Sequence, residues 1–87
     1  MYYTYILQST KNRRRYAGYT KDLRKRFREH NQRKGKKYTN KGAPYELIYY
    51  EACINEYDAK TREQYLKSGP GKRYLTYRLK RFLSSTG

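Results

Sequence analysis

The sequence predicts an α+β domain: a small three-stranded antiparallel sheet flanked by three helices, in the order β-β-α-β-α-α. Three observations predict it. Of two tyrosine-rich runs near the start the first alternates with period two and the second brings β-forming aromatics and a glycine, a later run from Tyr45 to Cys53 alternates likewise, and the other long stretches carry apolar residues at helical spacing. A chain of 87 residues makes one domain, spanning 1–87, and neither a repeat nor a second domain is visible.

The runs Tyr2 to Gln8 and Arg14 to Tyr19 read as a β-hairpin. Tyr3, Tyr5 and Leu7 alternate with Thr4, Ile6 and Gln8; the second run holds Tyr16-Ala17-Gly18-Tyr19, and Ser9-Thr10-Lys11-Asn12-Arg13 between them is turn-prone. Strand side chains repeat every second residue, so Tyr3 and Tyr5 share a face, and pairing is expected to lay Tyr16 beside Tyr5. Thr20 is the expected cap of a helix from about Lys21 to Asn31, with Asp22 early in it and Leu23, Arg26, Phe27 and His30 on one side. Gln32 to Pro44 holds five basic residues, two glycines and no acid, and reads as a loop. Tyr45 to Cys53 is the third strand, with Leu47 and Tyr49 alternating against Ile48 and Tyr50. Asn55 caps a second helix through Lys67 that puts Ala59, Arg62, Glu63 and Leu66 on one side. Ser68-Gly69-Pro70-Gly71 is expected to break it, and a last helix from about Lys72 to Leu83 turns Leu75, Leu79 and Phe82 inward.

Composition narrows the partners. The formal charge is +15, from 22 Lys and Arg against 7 acids, and a field of that sign attracts polyanions. Nucleic acid is the first partner implied and an anionic membrane surface the second. No apolar run approaches the roughly 20 residues that span a bilayer, and no signal peptide opens the chain, so a soluble cytoplasmic protein without membrane insertion is expected. Cys53 stands alone, which excludes an internal disulfide and a cysteine cluster, and its neighbours Ala52 and Ile54 suggest a small core residue. With thirteen tyrosines, the core should be thin and edged with hydroxyls. Arg14, Arg15, Lys21, Arg33, Lys34, Lys36, Lys37 and Lys41 have a plain reading as solvated charge. With Tyr38 interleaved, they instead suit tracking a phosphate backbone and stacking a base.

Taken in order, Tyr3-Thr4-Tyr5-Ile6-Leu7, Tyr16-Ala17-Gly18-Tyr19-Thr20, Asp22-Leu23 with Arg26, then His30, then Arg62-Glu63 resemble the GIY-YIG nuclease superfamily. The likeness is to its small stand-alone bacterial members and covers nearly the whole chain. Each piece is weak alone; the ordered set is specific. The resemblance implies a three-stranded sheet carrying two tyrosine motifs, with helices supplying an arginine, a histidine and a metal-binding glutamate. Position by position these are Tyr5 and Tyr16, the motif glycine Gly18, then Arg26, His30 and Glu63. The first motif departs from the family name, with Tyr3 and Thr4 where it prescribes glycine and isoleucine. The implied cofactor is a single Mg²⁺ or Mn²⁺ ion on Glu63, weakly held without substrate, and the implied substrate is DNA ahead of RNA.

The chemistry can be weighed on these residues directly. Phosphodiester hydrolysis needs a base for water, positive charge for the developing phosphorane, and relief for the leaving oxygen. A phenol of pKa near ~10 is about one part in a thousand phenolate at neutral pH, so Tyr5 serves as the base only if cations lower that value. Arg26 is the expected cation, holding the phosphate with Tyr16 while favouring the phenolate, and His30 assists proton transfer. Glu63 offers one hard oxygen, with phosphate and water completing the shell. Gly18 lets the strand backbone be approached closely. Plainer roles stand beside each: Tyr5 and Tyr16 packing the hairpin, Arg26 solvated, His30 settling a helix end, Glu63 paired with Lys60, Arg62 or Lys67. Two functions follow. One is a metal-dependent nucleic-acid phosphodiesterase of the endonuclease type, serving DNA repair or nucleic-acid processing. The alternative is a non-catalytic nucleic-acid-binding module that keeps the fold and charge. A monomer is expected, with a protein partner left open.

Overall fold

β1 (Tyr2–Ser9) is the middle strand of an antiparallel sheet, between β2 (Arg15–Thr20) and β3 (Tyr45–Cys53). The computed structural model describes residues 1–32 and 44–85. The central place of β1 explains why every residue from Thr4 to Ser9 is buried. Alternate side chains enter different layers. Thr4 and Ile6 face α2 (Glu56–Lys67) and α3 (Gly69–Arg78), where Thr4 Oγ1 donates to the Ala59 carbonyl (2.9 Å) and Ile6 packs with Leu66 and Leu75. Each of those three apolar side chains contributes about 1.5–3 kcal/mol by burial. Tyr5 and Leu7 belong to the opposite face, where Tyr5 meets His30 of α1 (Leu23–Asn31).

The predicted order of strands and helices stands, and the differences have local causes. Asp22 rather than Thr20 caps α1, its carboxylate accepting from Lys25 N–H (3.1 Å), while Thr20 Oγ1 accepts from Asp22 N–H (3.1 Å). Ser68 ends α2 and also caps α3, accepting from Gly71 N–H (3.3 Å), so α3 begins at Gly69 instead of Lys72. Pro70 sits in the first turn, where a missing N–H costs nothing. Gly71 lets that turn cross the end of α2: a Cβ there would collide with the Tyr65 carbonyl. The last helix divides at Leu79, leaving a short α4 (Lys80–Ser85). Cys53 is half-buried at its strand end, Sγ donating to the Asn55 carbonyl (3.4 Å), rather than a core residue.

The hairpin register also differs from expectation. Ser9 N–H donates to Arg14 O (2.9 Å) and Arg13 N–H to Ser9 O (3.0 Å), with Arg13 in the left-handed region (φ 61°). This turn pairs Gln8 with Arg15, so Tyr16 stands opposite Leu7 and Gly18 stands opposite Tyr5. A bulge at Ile48 shifts the β1–β3 ladder between Ile6 and Leu7. On the α2 side, Arg62 lies between the Tyr65 and Tyr74 rings (4.9 and 5.0 Å to the centroids) and donates to Glu51 (2.8 Å), which anchors the helix to β3.

Candidate active site

The site is built on the pairing of Tyr5 with Gly18. Because Gly18 has no side chain, the Tyr5 ring extends over β2; a Cβ at Gly18 would lie 2.5 Å from the Tyr5 hydroxyl. The close approach that Gly18 permits is thus by a side chain of the same sheet. The Tyr5 hydroxyl then meets His30 Nε2 at 3.0 Å. Tyr16, two residues along β2, packs its ring edge-on to the same imidazole (centroids 4.8 Å apart), and Tyr5 does so at 5.9 Å. The two phenols converge on His30, and Tyr16 also acts on the Tyr5 hydroxyl. His30 is held in place by its neighbour: the Asn31 amide donates to Tyr45 O (3.1 Å) and accepts from Tyr45 N–H (2.5 Å), tying the end of α1 to the start of β3.

Burial is the largest influence on the Tyr5 phenol, with Tyr16 adding to it, and its pKa is pushed up to about 12. Arg26 acts in the expected direction, lowering it by charge and hydrogen bonding, but is outweighed. Tyr5 is therefore a phenol across the neutral range, and Arg26 by itself does not bring about the lowered value that a phenolate base would need. Burial, reinforced by Arg26, lowers the pKa of His30 against the pull of Glu29, so the imidazole is neutral. A neutral imidazole bonded to a phenol forms a pair through which a proton can pass. Arg26 itself is half-exposed and pairs with Glu29 (3.2 Å).

Glu63 approaches from the other layer, since α2 packs on the Thr4–Ile6 face, yet its charge is felt at the Tyr5 phenol. Its side chain is largely buried and its carboxylate faces Lys67 Nζ (3.3 Å), one of the partners that the plainer reading named. Among the described residues no group of three or more His, Cys, Asp or Glu gathers. One hard carboxylate suits Mg²⁺ or Mn²⁺ only as a loosely held ion completed by water and substrate phosphate, and the donor set fits that arrangement.

A family model for the GIY-YIG catalytic domain matches residues 1–76. The chain belongs to the GIY-YIG family. It is 42% identical over 67 residues to a UPF0213 protein of Clostridium perfringens, covering 77% of this chain and 71% of that protein. It is 37% identical over 78 residues to one of Pediococcus acidilactici, covering 87% and 79%. A UPF0213 protein of Streptococcus agalactiae is 36% identical over 75 residues, covering 86% and 84%. No solved structure matches significantly. The GIY-YIG domain is of the nuclease type and identifies an endonuclease-like enzyme acting on nucleic acid. No helix among the described residues is long and apolar enough to cross a membrane.

Within this GIY-YIG domain Tyr5, Tyr16, Gly18, Arg26, His30 and Glu63 come together from β1, β2, α1 and α2. Arg14, Arg15 and Lys21 are exposed around them, Lys21 beside Lys25 and Arg26 in an open groove. Arg33, Lys34, Lys36, Lys37, Tyr38 and Lys41 lie outside the described residues. Two positioning residues were not legible beforehand. Glu29 sits three residues after Arg26, a spacing that could have flagged the ion pair. Asn31 closes a pair of bonds 14 positions away in sequence, for which no local signal exists.

Proposed function

We propose that this protein is a metal-dependent endonuclease acting in the cytoplasm as a monomer, on DNA ahead of RNA. The observation that carries the proposal is the 3.0 Å contact between the Tyr5 hydroxyl and His30 Nε2, at a phenol that also feels Arg26 and Glu63. Arg26, half-exposed, and Tyr16, half-buried, hold the scissile phosphate at the mouth. Neutral His30 accepts the Tyr5 proton as Tyr5 takes one from the attacking water; the new O–P bond forms, the P–O bond to the leaving oxygen breaks, and that oxygen takes a proton from solvent. Tyr5 is thus a relay in front of His30, not an isolated base. Glu63 would hold one Mg²⁺ or Mn²⁺, whose chemistry is to neutralise charge on the phosphate and leaving oxygen.

A second reading, binding without turnover, is favoured by two observations: Tyr5 is only 1% exposed, and the Glu63 carboxylate is engaged by Lys67. Salt-sensitive affinity is common to both readings, with log affinity falling by about 0.9 per neutralised phosphate on duplex. The deciding experiment is nicking of duplex, branched and single-stranded DNA and RNA in Mg²⁺ or Mn²⁺, by wild type and Glu63→Gln side by side. Nicking by wild type alone is expected, with nucleic-acid affinity retained in Glu63→Gln. Binding with no nicking on any substrate would favour the second reading.

A further inference from the structure

A groove of about 510 Å³ lies between the edge strand β2 and helices α2 and α3, on the face of the sheet away from His30. Its floor is Ala17 over Ile6, Leu66 and Leu75, and its rim is Arg14, Arg15, Lys67 and Lys72. Among the described residues no carboxylate lines it, and the acid nearest the rim is Glu63, paired with Lys67. Two residues join the groove to the catalytic cluster. Tyr16 lines it and also packs on His30, while Lys67 lines it and also faces Glu63.

The combination selects a ligand class. An apolar floor repels phosphate, and a rim of four cations has no use for a purely apolar occupant. A flat, weakly polar body with negative charge at its margins satisfies both, and that is a nucleotide: base on the floor, phosphates on the rim. We infer that the groove is a nucleobase subsite, receiving the base beside the cleaved phosphate, with flanking phosphates on Arg14, Arg15 and Lys72. The inference rests on the nuclease reading and deepens it by naming the substrate's form. A base stacked and paired in duplex has both faces covered, so it must leave the stack to reach Ala17. That cost is least for a base already unpaired. Substrates with an unpaired nucleotide at the cleavage position are therefore preferred.

The test does not depend on cleavage. Glu63→Gln protein is titrated into a duplex carrying one unpaired 2-aminopurine, and into the same duplex with that base paired. Emission from the unpaired base is expected to change about twofold on binding as it moves onto the apolar floor, and emission from the paired base to stay level. Ala17→Leu, which fills the floor from the face opposite Tyr5, is expected to abolish the change. Circular dichroism melting checks its fold, and Lys72→Glu, at an exposed rim position, serves as the second variant should Ala17→Leu melt early. An emission that stays level for both probes, or a change that survives both substitutions, overturns the subsite. Failure of the nuclease reading is seen separately, as absence of nicking by wild type, and leaves the emission result to decide the groove.

Discussion

The Tyr5 hydroxyl and His30 Nε2 stand 3.0 Å apart, and burial moves their proton affinities in opposite directions, the phenol up to about 12 and the imidazole down. Each group is thereby held in its uncharged form. Neutrality is what a relay between them needs, since a charged imidazolium could not accept the proton.

This pair sets the pH response. As pH falls through 6.5, the unfolded chain protonates its histidine before the folded one does, so the unfolded state binds more protons and stability declines. Above pH 10 the unfolded tyrosine ionises first, and the folded state loses the contribution of Tyr5 as pH rises toward about 12. Nicking should fall only on the acid side of pH 6.5 and stay level from about pH 7 to about pH 9. A tenfold climb per pH unit across that range would instead make Tyr5 phenolate the base. A pH–rate profile with matched thermal melts decides it.

Arg26→Gln separates electrostatic tuning from mere surface charge. Arg26 lowers the pKa of His30, so its removal should move the acid limb to higher pH. Cleavage should drop by about 100-fold or more, because the transition state loses its cation. The Arg26–Glu29 pair is half-exposed, so the melting temperature should barely change. An unshifted acid limb would remove Arg26 from the site.

Gly18→Ala places a methyl 2.5 Å from the Tyr5 hydroxyl and 2.6 Å from Cζ. The ring has to swing away, breaking its bond to His30, at a cost of about 1–3 kcal/mol and with loss of nicking. A variant that melts and cleaves like wild type would mean that Tyr5 does not need to lie over β2.

Gly71→Ala tests the crossing of α2 and α3. In an open helix interior such a change stabilises by about 0.5–1 kcal/mol. Here the new carbon meets backbone, the Tyr65 carbonyl and Leu66 Cα, neither of which can turn aside. A loss of about 1–3 kcal/mol is expected, and each kcal/mol lowers the melting temperature by about 4–8 °C in a domain of this size. A rise in melting temperature would show that the crossing is loose.

Much of the fold was legible because its signals are local. Alternation marked Tyr2 to Gln8 and Tyr45 to Cys53, Asn55 announced α2 through a cap that closes within two residues, and the ordered tyrosines, Arg26, His30 and Glu63 pointed to the candidate site. The register was less legible, because a left-handed Arg13 inside the turn moved Tyr16 from beside Tyr5 to beside Leu7. Ser68 likewise drew Gly69 and Pro70 into α3, though both residues read as breakers.

The sequence by itself determined the kinds of elements, their order, the strong positive charge and the identity of the candidate catalytic groups, since each depends on residue type and short spacing. Tertiary structure alone decided what those groups can do. The protonation of Tyr5 and His30 follows from burial, which depends on residues distant in the chain and, at Tyr5, outweighs the nearby Arg26. The charge of Glu63 felt at that phenol from the opposite layer, and the groove that Ala17 shares with Leu66 and Leu75, arise only when α2 and α3 pack on the sheet, because desolvation and contact are properties of the packed chain.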